Sequence, residues 1–145
     1  VKPILPLLLV GSLALLALVS YFLPAQLLEL PRYWTPGWLL LLLIYPLFSA
    51  LPQELIFRTY FFHRYQQLFP SARSRWLFSS CSFSFAHLFY GNWIAVALSF
   101  AGGLLFGYRF IKSGSTALVV VEHSLWGIII FSIGLGSYFV GFDLP

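Results

Sequence analysis

The chain has 145 residues, 60% of them hydrophobic and 8% charged, with a formal net charge of +4. No ordinary soluble domain has that composition, so the chain is expected to be an all-α integral membrane protein. A basic balance that would suggest nucleic acid in a soluble chain does not do so here. The 8 Lys and Arg residues fall mostly in short connections between apolar runs, which makes them orientation signals toward the lipid bilayer.

The apolar runs are long and interrupted by Gly and Pro rather than alternating, the pattern of a polytopic helical bundle and not of a barrel. Residues 4–23 form the first span; the run is too long, and lacks the small-residue cleavage pattern, for a secretory signal. A short amphipathic piece with Glu29, Pro31 and Arg32 follows. Residues 36–68 read either as one kinked span through Pro46 and Pro52 or as a span followed by a separate helix starting at Pro52. Further spans are expected over residues 76–90, 92–111 and 116–139, joined by a Gly91-Asn92 turn and by residues 112–115. The total is five to six transmembrane helices. The connections at 64–75 and 109–112 carry Arg64, Arg73, Arg75, Arg109 and Lys112, which places both on the cytoplasmic side. Cys81, the single cysteine, sits in an apolar run as an ordinary buried thiol. The chain begins at Val1 and contains no Met, so residues 1–145 are expected to be a single membrane domain truncated at its N-terminus, with a catalytic-like core at 52–130.

Three of the apolar stretches each carry an ionisable group at similar depth. Glu54 lies ten positions from Arg64, His87 twelve from Arg75 and His123 eleven from Lys112. At the rise of a helix each is about 15–18 Å from the interface, near the middle of a hydrocarbon core of about 30 Å. Ionisable groups persist at that depth where they pair, line a wet cavity or do chemistry. Glu54 and Arg58, four apart, share a helix face and can pair. Pro52 suits a first helical turn, which would set Glu54 near the positive end of a helix dipole. His87 follows Phe83 by four, and its imidazole can take a proton from water, bind a metal or donate to an oxyanion. Glu122, adjacent to His123, is expected to orient an imidazole on another helix or to serve as a base. Ser99, Gly103 and Gly107 form a small-residue stripe for close packing, and His63, near the interface, has no role.

In this order the three segments resemble the motifs of the CPBP family of intramembrane proteases, which includes the CAAX prenyl endopeptidases and Abi-type proteins. The family pattern is Glu-Glu-x-x-x-Arg, then Phe-x-x-x-His, then His-x-x-x-Asn. Gln53 and Glu54 occupy the acidic pair and Arg58 the arginine; Phe83 and His87 fit the second motif; His123 fits the third, with Gly127 where asparagine is usual. The resemblance implies a membrane hydrolase in which glutamate and histidine activate water while a second histidine and the asparagine stabilise an oxyanion. Two positions depart from it. An amide at Gln53 cannot take a proton as a carboxylate does, and Gly127 has no side-chain donor.

The expected function is therefore an intramembrane endopeptidase acting on a membrane-associated or lipidated peptide without a cofactor. Glu54 with His87 activates water, His123 polarises the scissile carbonyl and Arg58 holds Glu54. One alternative makes Glu54, His87 and His123 a three-ligand zinc site with an open fourth position. Another, favoured by Gln53 and Gly127, is a catalytically impaired scaffold that binds a hydrophobic partner. A third is a transporter with a proton relay through Glu54, His87, His123 and Glu122.

Overall fold

A computed structural model describes residues 4–140; the chain start at Val1 lies outside the described residues. Six helices make up most of it: α1 (Ile4–Phe22), the short α2 (Glu29–Tyr33), α3 (Thr35–Arg64), α4 (Ala72–Ala86), α5 (Trp93–Ser113) and α6 (Thr116–Ile133). No strand occurs among the described residues, and α1, α3, α5 and α6 are long and apolar enough to cross a membrane. The chain is an all-α integral membrane protein. α4 is 15 residues long and breaks at Ala86 into a 3-10 turn, His87–Tyr90, so its α-helical part falls short of the roughly 20 residues of a perpendicular crossing.

The termini of these helices follow from local chemistry. Ser71, Asn92 and Ser115 each accept a backbone N–H three residues on, from Ser74, Ala95 and Leu118, which caps α4, α5 and α6. At the other end α6 stops at Gly134, whose φ of 107° is open to glycine and strained for other residues, so the helix ends short of residue 139.

α3 resolves the ambiguity left by its two prolines: it is one continuous 30-residue helix. Pro46 and Pro52 cannot donate to the ladder, and the helix absorbs this by widening to π geometry over Pro46–Ala50, where the Leu51 N–H reaches Pro46 O, and again over Leu55–Tyr60. An extra residue in a turn rotates everything beyond it by about 100° relative to a regular helix. As a result Glu54 and Arg58 both face the interior with no exposure, while Leu47, Phe48, Leu55 and Ile56 stay on the outer surface. Because the helix does not begin at Pro52, no helix N-terminus supports Glu54.

α6 is the axis of the bundle, contacted by α1, α3 and α5, and buries Val119, Glu122, His123, Ser124, Gly127 and Phe131. α4 and α5 pack along most of their length. Gly103 makes that approach possible, since an added Cβ there would lie 3.0 Å from Ser80 Cα and 3.1 Å from its carbonyl oxygen. The same interface carries hydrogen bonds from Trp76 Nε1 to Leu104 O at 2.8 Å and from Ser84 Oγ to Val96 O at 2.8 Å. Cys81 is exposed on the outer face of α4, not buried, because the inward face of that helix is taken by Ser80, Phe83 and Ser84. Val19, Ile133 and Leu135 close the end of the bundle where α1 meets α6.

Replacing Gly103 by Val is expected to destabilise the α4–α5 contact by about 1–3 kcal/mol. Thermal unfolding in detergent should register a lower midpoint for that variant, and a midpoint equal to wild type would mean that the two backbones do not pack as described.

Candidate active site

α3 carries Glu54 and Arg58, α4 carries Phe83 and the turn after it His87, and α6 carries His123 and Gly127. Their packing brings the two imidazoles to the wall of a single cavity, with the Glu54 carboxylate behind His123 and off the cavity wall. Glu54 is completely buried. Its Oε1 accepts a hydrogen bond from His123 Nδ1 at 2.6 Å, and its Oε2 lies 3.1 Å from Arg58 Nε. The second distance suits an ion pair, but the Arg58 N–H is not aimed at the oxygen, so Glu54 Oε2 and Arg58 Nε have no hydrogen-bond partner among the described residues. Arg58 gains the rest of its support from Gly103 O at 3.4 Å and from the faces of Phe83 and Phe106, whose ring centres lie 4.4 Å and 5.5 Å from the guanidinium carbon.

An ionised carboxylate only accepts, so its bond to His123 puts the proton on Nδ1 and leaves Nε2 as the acceptor nitrogen. Nε2 lies 3.2 Å from the Tyr45 hydroxyl, which then donates to it. Phe106 stacks on the His123 ring at 4.6 Å between centres, 19° from parallel, and holds it in place. His87 is fixed in a similar way by a neutral group: Nδ1 donates to Phe83 O at 2.7 Å, again leaving Nε2 as the acceptor. The Phe83 ring stands beside both imidazoles, at 4.7 Å from His87 and 5.8 Å from His123.

The cavity these groups line has a volume of ≈ 440 Å³, the scale of a small-ligand or peptide-segment site. Tyr45, Ser49, Gln53, His87, Ser99 and His123 contribute its polar wall, and Gly11, Leu15, Leu98, Leu105 and Phe131 belong to its apolar one. Gln53 donates to Ser49 Oγ at 3.0 Å, while its Oε1, with Ser99 Oγ and Trp126 Nε1, is buried without a hydrogen-bond partner among the described residues.

The structure rearranges several expectations. Glu54 meets His123 rather than His87, because α3 packs on α6 while His87 hangs beyond Phe83 at the end of α4. Glu122 orients no imidazole. It receives Arg109 Nε at 2.6 Å on Oε2 and Arg109 Nη2 at 2.9 Å on Oε1, a two-pronged pair across the α5–α6 hairpin. Arg109 is therefore a buried partner inside α5 and not a loop charge. Gly127 has no room for a side chain, since an added Cβ would run into the ring and hydroxyl of Tyr45. Among the described residues, no three His, Cys, Asp or Glu side chains are arranged to hold a metal ion, and the Glu54 oxygens already face His123 and Arg58. Tyr45 and Phe106 are the site residues that the sequence reading passed over, and Arg109 is a pairing residue that it assigned to a connection. The missing side chain at Gly127 was the signal available for Tyr45, and a second acid inside an apolar run was the signal available for Arg109.

Comparison with known proteins gives one family. The model described as type II CAAX prenyl endopeptidase Rce1-like matches residues 35–129, which include Glu54, His87 and His123 and leave α1 outside. No curated protein and no solved structure matches the chain.

Removing one partner of a buried ion pair leaves an uncompensated charge and costs about 3–5 kcal/mol, whereas apolar replacement of both is tolerated. Glu122→Leu alone should therefore lower the thermal midpoint in detergent far more than the double variant Arg109→Met with Glu122→Leu. If the two midpoints coincide, the hairpin pair contributes nothing of the kind.

Proposed function

The chain belongs to the Rce1-like family of type II CAAX prenyl endopeptidases, and on that basis we propose that it is a cofactor-independent intramembrane endopeptidase. Its substrate is a membrane-associated or lipidated peptide. The observation that carries the reading is the Glu54–His123 bond at 2.6 Å, because a carboxylate that fixes Nδ1–H leaves Nε2 facing the cavity as a proton acceptor.

In this reading His123 is the general base, an exchange of roles with His87 relative to the sequence expectation. When His123 takes a proton from water, the carboxylate beside it stabilises the resulting imidazolium. Among the described residues His87 has the Phe83 carbonyl for that purpose. It serves instead as a second acceptor that orients the water. Arg58 sets a positive charge 3.1 Å from Glu54 Oε2, and Phe83 spaces the two rings. The basic connection around residues 64–75 faces the cytoplasm, with Arg64 and Arg73 exposed on it. Cleavage of a lipidated peptide by the purified protein tests the assignment. His123→Ala should lower kcat by about 10²–10⁴-fold, His87→Ala by less, and a chelator should leave the wild-type rate unchanged. Stoichiometric zinc and loss of activity on chelation would move Glu54, His87 and His123 from proton transfer to metal ligation.

A second reading is favoured by Gln53, whose amide hydrogen-bonds Ser49 and cannot accept a proton. It is a scaffold that uses the cavity to bind a hydrophobic partner without cutting it. Gln53→Glu separates the two: if the wild type is an enzyme with His123 as base, the substitution changes an existing rate. The scaffold reading requires that cleavage be absent in the wild type and arise only in the variant.

A further inference from the structure

We propose that the Tyr45 hydroxyl is the oxyanion donor of this site, standing in for the side chain that Gly127 lacks; the proposal rests on the peptidase reading above. Two independent observations lead to it. A Cβ at Gly127 would overlap the phenol ring and oxygen of Tyr45, so the tyrosine fills the volume into which a larger residue at that turn of α6 would project. The same hydroxyl lies 3.2 Å from His123 Nε2, the nitrogen that accepts the proton of the water, and both residues line the cavity.

The position is also fixed. Tyr45 is the last residue of α3 before the π segment that begins at Pro46, and its ring meets Phe131 edge-on at 5.8 Å and His123 at 6.0 Å. A donor that must not reorganise during the reaction is best held this way. In the resting protein the single O–H of Tyr45 points to His123 Nε2 and caps the base. A peptide carbonyl entering the cavity draws that hydrogen to itself and frees Nε2 for water.

The steps then balance. The water oxygen bonds to the scissile carbonyl carbon, a water proton passes to His123 Nε2, and the carbonyl π pair moves onto oxygen, which accepts the Tyr45 O–H. Collapse of the tetrahedral carbon re-forms the carbonyl and breaks the C–N bond, and the proton on His123 goes to the leaving nitrogen. The products are a carboxylic acid and an amine, with Tyr45 still protonated and returned to Nε2.

The test uses the purified protein, a lipidated peptide, and a phosphonamidate analogue of that peptide carrying a tetrahedral, anionic phosphorus at the scissile position. Tyr45→Phe removes one oxygen and keeps the ring. It should lower kcat by about 10²–10³-fold with KM unchanged, weaken the analogue by a similar factor, and leave binding of a non-cleaved amide isostere untouched. The double variant Tyr45→Ala with Gly127→Asn exchanges one donor for another in the same volume and should regain activity that Tyr45→Ala alone loses. A wild type that cleaves, with Tyr45→Phe matching it in kcat and in analogue affinity, would overturn the role of Tyr45 and leave the peptidase standing. A wild type that neither cleaves nor prefers the analogue to the isostere would overturn both.

Discussion

Glu54 has no exposure, and in a lipid-embedded bundle a carboxylate so placed must have its charge answered from within. The answer comes from two helices at once: Arg58 one turn along α3, and His123 on α6. Much of the architecture follows from keeping these three together. The π turns of α3 rotate Glu54 and Arg58 inward, Phe83 and Phe106 cover the guanidinium, and Gly103 lets α4 and α5 close tightly enough to offer its carbonyl to Arg58.

The same constraint organises the chemistry. A carboxylate that fixes an imidazole tautomer does so whether or not a substrate is present, so the proposed direction of proton transfer would be set before a substrate arrives. Around it the cavity divides into a polar wall and an apolar wall, part of the latter supplied by Gly11 and Leu15 of α1, outside the stretch that matches the family. The proposed lipid-bearing peptide has both kinds of surface, and among the described residues the wall of the cavity has buried polar atoms without partners at Gln53, Ser99 and Trp126.

Much of the fold was legible in the chain. Length and composition of the apolar runs gave the helical membrane bundle, and the motifs around Glu54, His87 and His123 gave the family, because both are local properties of sequence. The small-residue stripe likewise marked a close helix contact at Gly103. What could not be read was which helix neighbours which. Equal depth places Glu54, His87 and His123 at one level but says nothing of azimuth, and azimuth decides that Glu54 faces His123. The fate of Pro46 and Pro52 was equally closed to inspection, since proline can begin, kink or widen a helix and packing against α6 selects among these. Tyr45 looked like one more aromatic in an apolar run. Its position against α6 depends on the empty Cβ position of Gly127, 82 residues later in the chain (127 − 45).

The Arg109–Glu122 pair bears on how the chain enters its membrane. Each charge alone opposes partitioning into lipid. The partners are 13 positions apart on either side of a short turn, so they neutralise each other only once α5 and α6 lie side by side. Biogenesis then favours delivery of the two helices as a couple. A nascent chain halted after α5 would lack the Glu122 carboxylate, so the order of synthesis bears on this pair as well as its final geometry does.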